Sequence, residues 1–381
     1  MHEVGFSDLS LDAETVSLLD RYGFERETFE RLRQKLVQAK ADGKPIDGDN
    51  HLRGRVEPPS AGDVVPLAQL GSSERKALSE RGEQAIREGK VAAVVLAGGM
   101  ATRFGGVVKA AVEVARGKTF LDLKLADIRG SAQRAGGRVA THLMTSFATD
   151  ADVARMARAA SSTEAPVETF AQFVSLRLEP SGALFHDSKG KVSPYAPGHG
   201  DLPFALRKSG TLAKLRKSGV EQIYVSNVDN LAATLDPAII GAHLVGKKPI
   251  TVEVADKAKG DKGGAPARVD GVLQIVEGFR FPSGFDQDAI PVFNTNTLIF
   301  DLAAIDRDFD LSWFTVTKEV DGKKAIQFER LVHELTAFLP SQMLGVTREG
   351  ADGRFMPVKD PPELATRRPA IEHLLEQRGA L

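Results

Sequence analysis

Two hydrophobic periods alternate along this chain. Residues 11–40 carry Leu11, Leu18, Leu19, Phe24, Phe29, Leu32 and Leu36 at helical spacing, which predicts helix with one buried stripe. Residues 41–65 are rich in Gly, Pro and Asp and read as a linker or surface loop. Residues 73–89 read as a charged helix stopped by Gly89. The pattern then changes. Residues 91–96 are an unbroken apolar run, the mark of a buried strand. Helical periodicity follows at 120–135, a strand at 139–145, a helix at 151–160 and a short strand at 167–170. Residues 181–202 are rich in Gly, Pro, Ser and Lys and predict a long loop with a hairpin inside it. A helix is expected at 204–218, a strand at 222–226, a helix at 237–245 and a strand at 250–255. Residues 263–300 give shorter strands with turn signals, which suggests a small antiparallel insertion. Residues 369–381 are a short helix candidate.

Strands alternating with helices define the fold class as α/β. The expected architecture is a mostly parallel, Rossmann-like sheet with helices on both faces. The sequence divides into an N-terminal helical segment (1–89), a main domain (90–365) and a helical tail (366–381).

Composition narrows the chemistry. The chain has 381 residues, 42% hydrophobic and 27% charged, as a soluble globular protein has. A formal net charge of −1 argues against a nucleic-acid-coating surface, so any anion site must be built locally from a few cations. Cysteine is absent, which excludes disulfides, thiolate metal sites and thiol nucleophiles and makes a reducing cytoplasm the natural compartment. The N-terminus lacks the basic and apolar regions of a secretory leader, and no apolar run approaches a membrane span.

The strand at 91–96 runs straight into Ala97-Gly98-Gly99-Met100-Ala101-Thr102-Arg103-Phe104-Gly105-Gly106-Val107-Val108-Lys109. A glycine-rich loop after a buried strand brings backbone N–H groups against phosphates, and a basic residue lies on either side of the second Gly-Gly pair. Two familiar loops do not fit. The dinucleotide fingerprint needs G-x-G-x-x-G and an acid at the end of the next strand, but that strand ends Leu143-Met144-Thr145-Ser146. Walker A needs G-x-x-x-x-G-K-[ST], a string absent here. Alone, the loop indicates a nearby phosphate or a plain tight turn.

Further strings follow it. They are Arg116-Gly117-Lys118-Thr119-Phe120-Leu121-Asp122-Leu123, Leu143-Met144-Thr145-Ser146-Phe147, Phe170-Ala171-Gln172 and Pro197-Gly198-His199-Gly200-Asp201 with Ser209-Gly210. Then come Val225-Ser226-Asn227-Val228-Asp229-Asn230-Leu231, Asp256-Lys257, Lys262-Gly263-Gly264, Glu277, Phe293-Asn294-Thr295-Asn296 and Arg354-Phe355-Met356-Pro357-Val358-Lys359. In loop and order, over residues 91–359, the chain resembles the UDP-sugar pyrophosphorylase family, and within it the UTP–glucose-1-phosphate uridylyltransferases. The resemblance implies a nucleotidyltransferase-type sheet and a catalytic domain over 90–365, with the antiparallel insertion read as a lid or a sugar-binding element. The implied reaction transfers UMP from UTP to glucose-1-phosphate, releasing pyrophosphate, with Mg²⁺ as cofactor and UTP and a sugar-1-phosphate as partners.

The same resemblance implies the site. Lys109, Lys359 and Arg103 would be the catalytic cations. Leu96, Ala97, Gly98, Gly99, Lys109, Gln172, Gly198, Asp229 and Lys359 would line the nucleotide. Gly98, Gly99, His199, Asn227, Val228, Asp229, Glu277, Asn294 and Asn296 would line the sugar-phosphate, and Asp229 would hold the metal. Physical chemistry is compatible. Glycines let backbone approach a ligand, a carboxylate suits Mg²⁺ beside substrate phosphates, and a glutamine offers uracil a donor and an acceptor. Asp201 reads as the cap of the helix after it. Each of these residue types also has a plain structural role, since solvated lysines, capping aspartates and surface glutamines are common. Two further readings stand beside the first: a UDP-N-acetylglucosamine or broad UDP-sugar enzyme, and an inactive nucleotide-sugar sensor.

The chain departs from the family pattern in places. Ala101 stands where glycine is usual and would be strained if φ there were positive. Gly-Gly-Val-Val precedes Lys109 where Gly-Pro is usual, and Thr145 replaces an asparagine. The chain ends soon after Lys359, without the β-helix through which family members often self-associate, so a monomer or small homo-oligomer is expected.

Overall fold

The computed structural model describes residue 9 and residues 11–381 except 259 and 262, with backbone only at residue 102. The leader reading of residues 1–8 and Lys262 of the Lys-Gly-Gly string lie outside the described residues. Eight strands form the central sheet. They are β1 (Val64–Pro66), β2 (Val91–Leu96), β3 (Ala140–Thr145), β4 (Val167–Ala171), β5 (Gln222–Asn227), β6 (Ile250–Asp256), β7 (Val292–Asp301) and β8 (Ser341–Val346). Their order is β1-β8-β6-β7-β5-β2-β3-β4. All neighbours are parallel except β7, which runs antiparallel to both β5 and β6.

The apolar run at 91–96 explains its place in the middle. Val91, Ala93 and Val95 enter the core on one face, while Ala92, Val94 and Leu96 enter the core on the other. This is the two-residue alternation of a strand covered on both sides. The first core receives α3 (Ser73–Arg87), α4 (Phe120–Arg134), α5 (Asp150–Ala160), α8 (Pro237–Gly246) and α9 (Pro361–Gln377). The second receives α6 (Leu202–Lys208) and α7 (Thr211–Lys217). Each valine fully buried here contributes about 1.5–3 kcal/mol of transfer free energy. The N-terminal helices α1 (Ala13–Tyr22) and α2 (Arg26–Ala41) form a third cluster with Val174, Leu176, Leu178, Ile326 and Phe328.

Several expectations are refined. The stripe at 11–40 is two helices, because Gly23 turns left-handed at φ 76°. The helix at 204–218 is likewise two, broken where Gly210 takes φ 76°. The linker at 41–65 supplies Val56–Glu57 and the edge strand β1. The antiparallel insertion is smaller than 263–300. It consists of Ala265–Val269 and Val272–Val276, joined by Val56–Glu57. The rest of that stretch includes β7, in the middle of the central sheet. Its pattern reads as broken because polar Asn294, Thr295, Asn296 and Thr297 interrupt the apolar residues, and Asn296 adopts φ 59°. The C-terminal helix is longer than expected, Pro361–Gln377, with Pro369 inside it.

Candidate active site

β2 and β5 are parallel neighbours, with Leu96 opposite Asn227. The turns that follow them therefore leave the same carboxyl edge, where ligands collect in open α/β sheets. Val228 N–H donates to Leu96 O (3.2 Å), and Ala97 N–H donates to Met144 O (2.8 Å). Beyond these contacts the Lys109 ammonium donates to the Asp229 carboxylate. Both side chains are less than one-fifth exposed, so neither is freely solvated. From below, the buried Lys124 ammonium holds the second turn by donating to Asn230 O (2.7 Å) and Ala233 O (2.6 Å). Burial lowers its pKa to about 8.

The glycine-rich segment is itself a small hairpin, Met100–Ala101 against Val107–Val108. The left-handed residues are Gly105 (φ 83°) and Gly106 (φ 79°). Ala101 is not among the positive-φ residues; it is a buried strand residue, so the strain expected there does not arise. Lys109 follows the second strand, and its N–H donates to Gly99 O (3.2 Å). Gly99 is exposed, and Arg103 sits exposed at the hairpin tip.

On the β4 side lies Gln172, whose backbone N–H donates to Thr145 O (2.9 Å). Its side chain packs against Gly98 so closely that a Cβ at Gly98 would lie 2.2 Å from Gln172 Nε2. Gln172 Oε1 is buried and has no partner among the described residues. Such an orphan acceptor costs about 1–3 kcal/mol unless a ligand supplies a donor. Thr145 Oγ1 donates to Asp150 Oδ1 (2.9 Å) and so ties β3 to α5.

The loop 197–201 runs from this side toward β7. Gly198 has φ 109°, and a Cβ there would lie 3.0 Å from Arg330 O. Asp201 occupies the start of α6 but does not cap it. Its carboxylate instead accepts from Phe173 N–H (2.9 Å) and the Arg330 guanidinium. That correction has a physical reason: Asp201 is fully buried, and the cation is the better partner. Arg330 also binds Glu25 (2.8 Å) and lies over the rings of Phe204 and Trp313 at 4.5 Å.

The β7 side is a chain of polar contacts. Asn296 Nδ2 donates to Asn227 Oδ1 (3.0 Å), and Asn296 N–H donates to Asn294 Oδ1 (2.9 Å). Asn294 Nδ2 meets His333 Nδ1 at 3.4 Å, and His333 Nε2 faces Glu277 Oε2 at 3.3 Å. His199 lies beside His333, ring centroids 6.1 Å apart, and accepts Val332 N–H at its Nδ1 (3.1 Å). Burial lowers His199 to about 4. Burial, with His199 and Arg280 adding, lowers His333 to about 3. Burial, with Glu329 adding, raises Glu277 to about 7. His333 is therefore a neutral imidazole and meets Glu277 as such rather than as half of an ion pair.

Residues 354–359 form a strap across the second turn. Asn230 pairs with Pro357, donates from Nδ2 to Arg354 O (3.1 Å) and accepts Met356 N–H at Oδ1 (2.9 Å). Val358 is fully buried, and exposed Lys359 follows it.

The structure thus brings together Lys109 with Asp229, Gly98 with Gln172, Leu96 with Val228, and Asn227 with Asn296 and Asn294. Among the described residues, no hydrogen bond or ion pair joins Arg103 or Lys359 to the others. His333, Arg330 and Glu329 carried no sequence signal strong enough to single them out. His333 lies in an unremarkable Leu331-Val332-His333-Glu334 run, and its partners are far away in sequence. One cue existed, a histidine and a glutamate breaking an apolar stretch.

A mostly parallel sheet with a glycine-rich hairpin at its carboxyl edge and a carboxylate–lysine pair beside it places the protein among open α/β folds, whose ligands collect at that edge. Similarity to known proteins identifies the family. A family model for UTP–glucose-1-phosphate uridylyltransferase matches residues 26–373, and the chain belongs to that family. UTP–glucose-1-phosphate uridylyltransferase 2 of Dictyostelium discoideum is 30% identical over 338 residues, 84% of this chain and 64% of that protein. The Hordeum vulgare uridylyltransferase is 32% identical over 291 residues, 72% of this chain and 61% of that protein. The chain therefore spans a little under two thirds of the length of these curated relatives. Among solved structures, Trypanosoma brucei UDP-glucose phosphorylase superposes with a TM-score of 0.72 at 21% identity, covering 92% of this chain and 77% of that one. The Trypanosoma brucei UDP-N-acetylglucosamine pyrophosphorylase gives 0.71 at 21%, covering 88% and 75%. These likenesses establish the fold. No helix among the described residues is long and apolar enough to cross a membrane.

Proposed function

We propose that the protein transfers the uridylyl group of UTP to glucose-1-phosphate. A phosphate oxygen of the sugar attacks the α-phosphorus of UTP. The bond to the β-phosphate oxygen breaks, and pyrophosphate leaves. The observation that carries this reading is the division of the cleft. The Lys109–Asp229 pair lies centrally, an orphan amide oxygen at Gln172 lies on one side, and a wall of amides ending in Glu277 lies on the other. The first side suits a base bearing an N–H donor, and the second suits a molecule with an acceptor phosphate and donor hydroxyls.

The nucleophile is already an anion, so no general base is needed. The obstacle is repulsion, about 1 kcal/mol per unit-charge pair at about 4 Å in water and about 4 at an effective dielectric of 20. Lys109, the backbone N–H groups of Gly98 and Gly99, and Lys359 would offset it, with Arg103 as a further cation from the hairpin tip. Asp229 fits Mg²⁺, because this ion is commonly held by one or two carboxylates with substrate phosphates completing its shell. Bound there, Mg²⁺ would neutralise charge on the phosphates. Lys109, held here by Asp229, would donate to a substrate phosphate in the complex. Gln172 and Gly198 would hold uracil, with Leu96 and Ala97 forming the floor. Asn227, Val228, Asn294, Asn296, Glu277 and His199 would hold the sugar-phosphate.

The names of the curated relatives support glucose-1-phosphate. The Leu-Ala-Gly-Gly…Thr-Arg loop favours an N-acetylhexosamine phosphate as the second reading. Pyrophosphate release from UTP and Mg²⁺ across glucose-, galactose- and N-acetylglucosamine-1-phosphates separates them. Release with glucose-1-phosphate at least tenfold faster than with the others is expected. Preference for the N-acetyl sugar overturns the choice of sugar, and no release with any of them indicates a sensor.

A further inference from the structure

The polar chain along β7 has a direction. Asn296 Nδ2 donates to Asn227 Oδ1, which leaves the Asn227 amide hydrogens for an acceptor. Asn296 N–H donates to Asn294 Oδ1, which turns the Asn294 amide nitrogen toward His333 Nδ1. A neutral imidazole that accepts at Nδ1 must carry its hydrogen on Nε2, and that atom faces Glu277 Oε2 at 3.3 Å. One ring therefore fixes both the flip of an amide and the placement of a carboxyl 39 and 56 residues distant in sequence (333 − 294 and 333 − 277). His333 is only 4% exposed and has no solvent alternative.

We infer that His333 is a positioning residue that sets the polarity of this wall, so that it accepts a hydroxyl at the Glu277 end and donates to a phosphate at the Asn227 end. This rests on the proposed uridylyl transfer. Its distinctive content is that the sugar-phosphate, and not the nucleotide, is read through His333. Asn296 Oδ1, buried without a partner among the described residues, is a further acceptor on the same wall. A sugar hydroxyl would satisfy it. The groups facing Glu277 are His333, Glu329 on the hairpin strand Lys323–Glu329, and Lys257 and Asp261, which line a cavity of about 380 Å³ with it. Arg280 and His199 are the further charged or titratable groups that act on His333, both favouring its neutral form.

The experiment uses the full chain with UTP, Mg²⁺ and the glucose-1-phosphate panel. His333→Phe removes both the acceptor and the donor, whereas His333→Gln retains an acceptor oxygen and a donor nitrogen. His333→Phe is expected to raise KM for glucose-1-phosphate by about tenfold, the loss of one hydrogen bond to a charged group. KM for UTP should change less than about twofold, and His333→Gln should stay within about threefold of the parent. The midpoint of the pH dependence of sugar KM should move up by about one unit in His333→Phe, because the carboxylate loses a donor. In the unsubstituted protein, ¹⁵N NMR of the histidines should show His333 as the Nε2–H form, without titration between about pH 5.5 and 8. Unchanged sugar KM in His333→Phe overturns the inference while leaving uridylyl transfer standing. Equal losses in both variants, or an Nδ1–H ring, also overturn it. If the unsubstituted protein releases no pyrophosphate with any sugar, the reading of function falls and this inference falls with it.

Discussion

Glu253→Gln tests the strap that carries Lys359. Arg354 and Glu253 are each 1% exposed. The guanidinium donates from Nε to Glu253 Oε2 at 2.9 Å and from Nη2 to Oε1 at 2.6 Å. It also reaches Thr234 Oγ1 at 2.8 Å and Tyr224 OH at 3.3 Å. Glutamine keeps the shape, but it neutralises the carboxylate and turns an NH₂ toward one guanidinium donor. Breaking a buried pair in this way costs about 3–5 kcal/mol, because the remaining charge is stranded. At about 2.1 cal/mol/K per residue near 60 °C, unfolding the 381 residues carries about 0.8 kcal/mol/K, so Tm should fall by about 4–6 °C. Calorimetry measures the shift and urea titration the free energy. Because Arg354 O anchors Asn230, turnover should drop more than KM for UTP in the molecules that remain folded. A Tm within about 1 °C of the parent would refute the claim that this pair fastens the strap.

Three other substitutions address separate links. His142 is buried in β3 with Nδ1 unpartnered among the described residues, and burial lowers its pKa to about 4. Its contribution to stability is complete above the unfolded value near 6.5 and is lost as pH falls toward 4. His142→Leu should therefore reduce the stability lost between about pH 7 and 4.5 by roughly 2–3 kcal/mol, and parallel urea-derived curves would count against it. Gly98→Ala puts a methyl 2.2 Å from Gln172 Nε2. It should raise KM for UTP by about tenfold or more with a smaller change for the sugar-phosphate; equal changes would detach Gln172 from the base. Lys359→Ala should lower turnover far more than UTP binding, measured by initial rates beside isothermal titration, and unchanged turnover would remove Lys359 from the phosphate charge balance.

The central sheet was legible because β2 is covered on both faces and so appears as a continuous apolar run, and because β5 and β6 carry strand-length stretches of Ile, Val and Tyr. The two helix breaks were hidden in single glycines, Gly23 and Gly210, whose left-handed φ interrupts an otherwise unbroken stripe. β7 was obscured because Asn294, Thr295, Asn296 and Thr297 stand where a central strand would be expected to carry apolar residues. At the site, Lys109, Asp229, Gln172 and the asparagines were visible through ordered strings of the family. The roles of Arg330, Arg354 and His333 were not, because each acts by filling space and bonding across 100 or more residues, or to partners that no local pattern links. Asp201 illustrates the same point: capping chemistry at the start of α6 was a fair local expectation, and a buried guanidinium from residue 330 displaced it.

The central claim is tested most directly by following oxygen. The protein is incubated with UTP, Mg²⁺ and glucose-1-phosphate labelled with ¹⁸O in its phosphate, and the products are separated by mass spectrometry. Attack by the sugar-phosphate on the α-phosphorus predicts UDP-glucose retaining all the label and pyrophosphate carrying none, with formation falling by about two orders of magnitude or more in Lys109→Ala. Failure to form UDP-glucose, label in the pyrophosphate, or undiminished formation in Lys109→Ala would contradict the account.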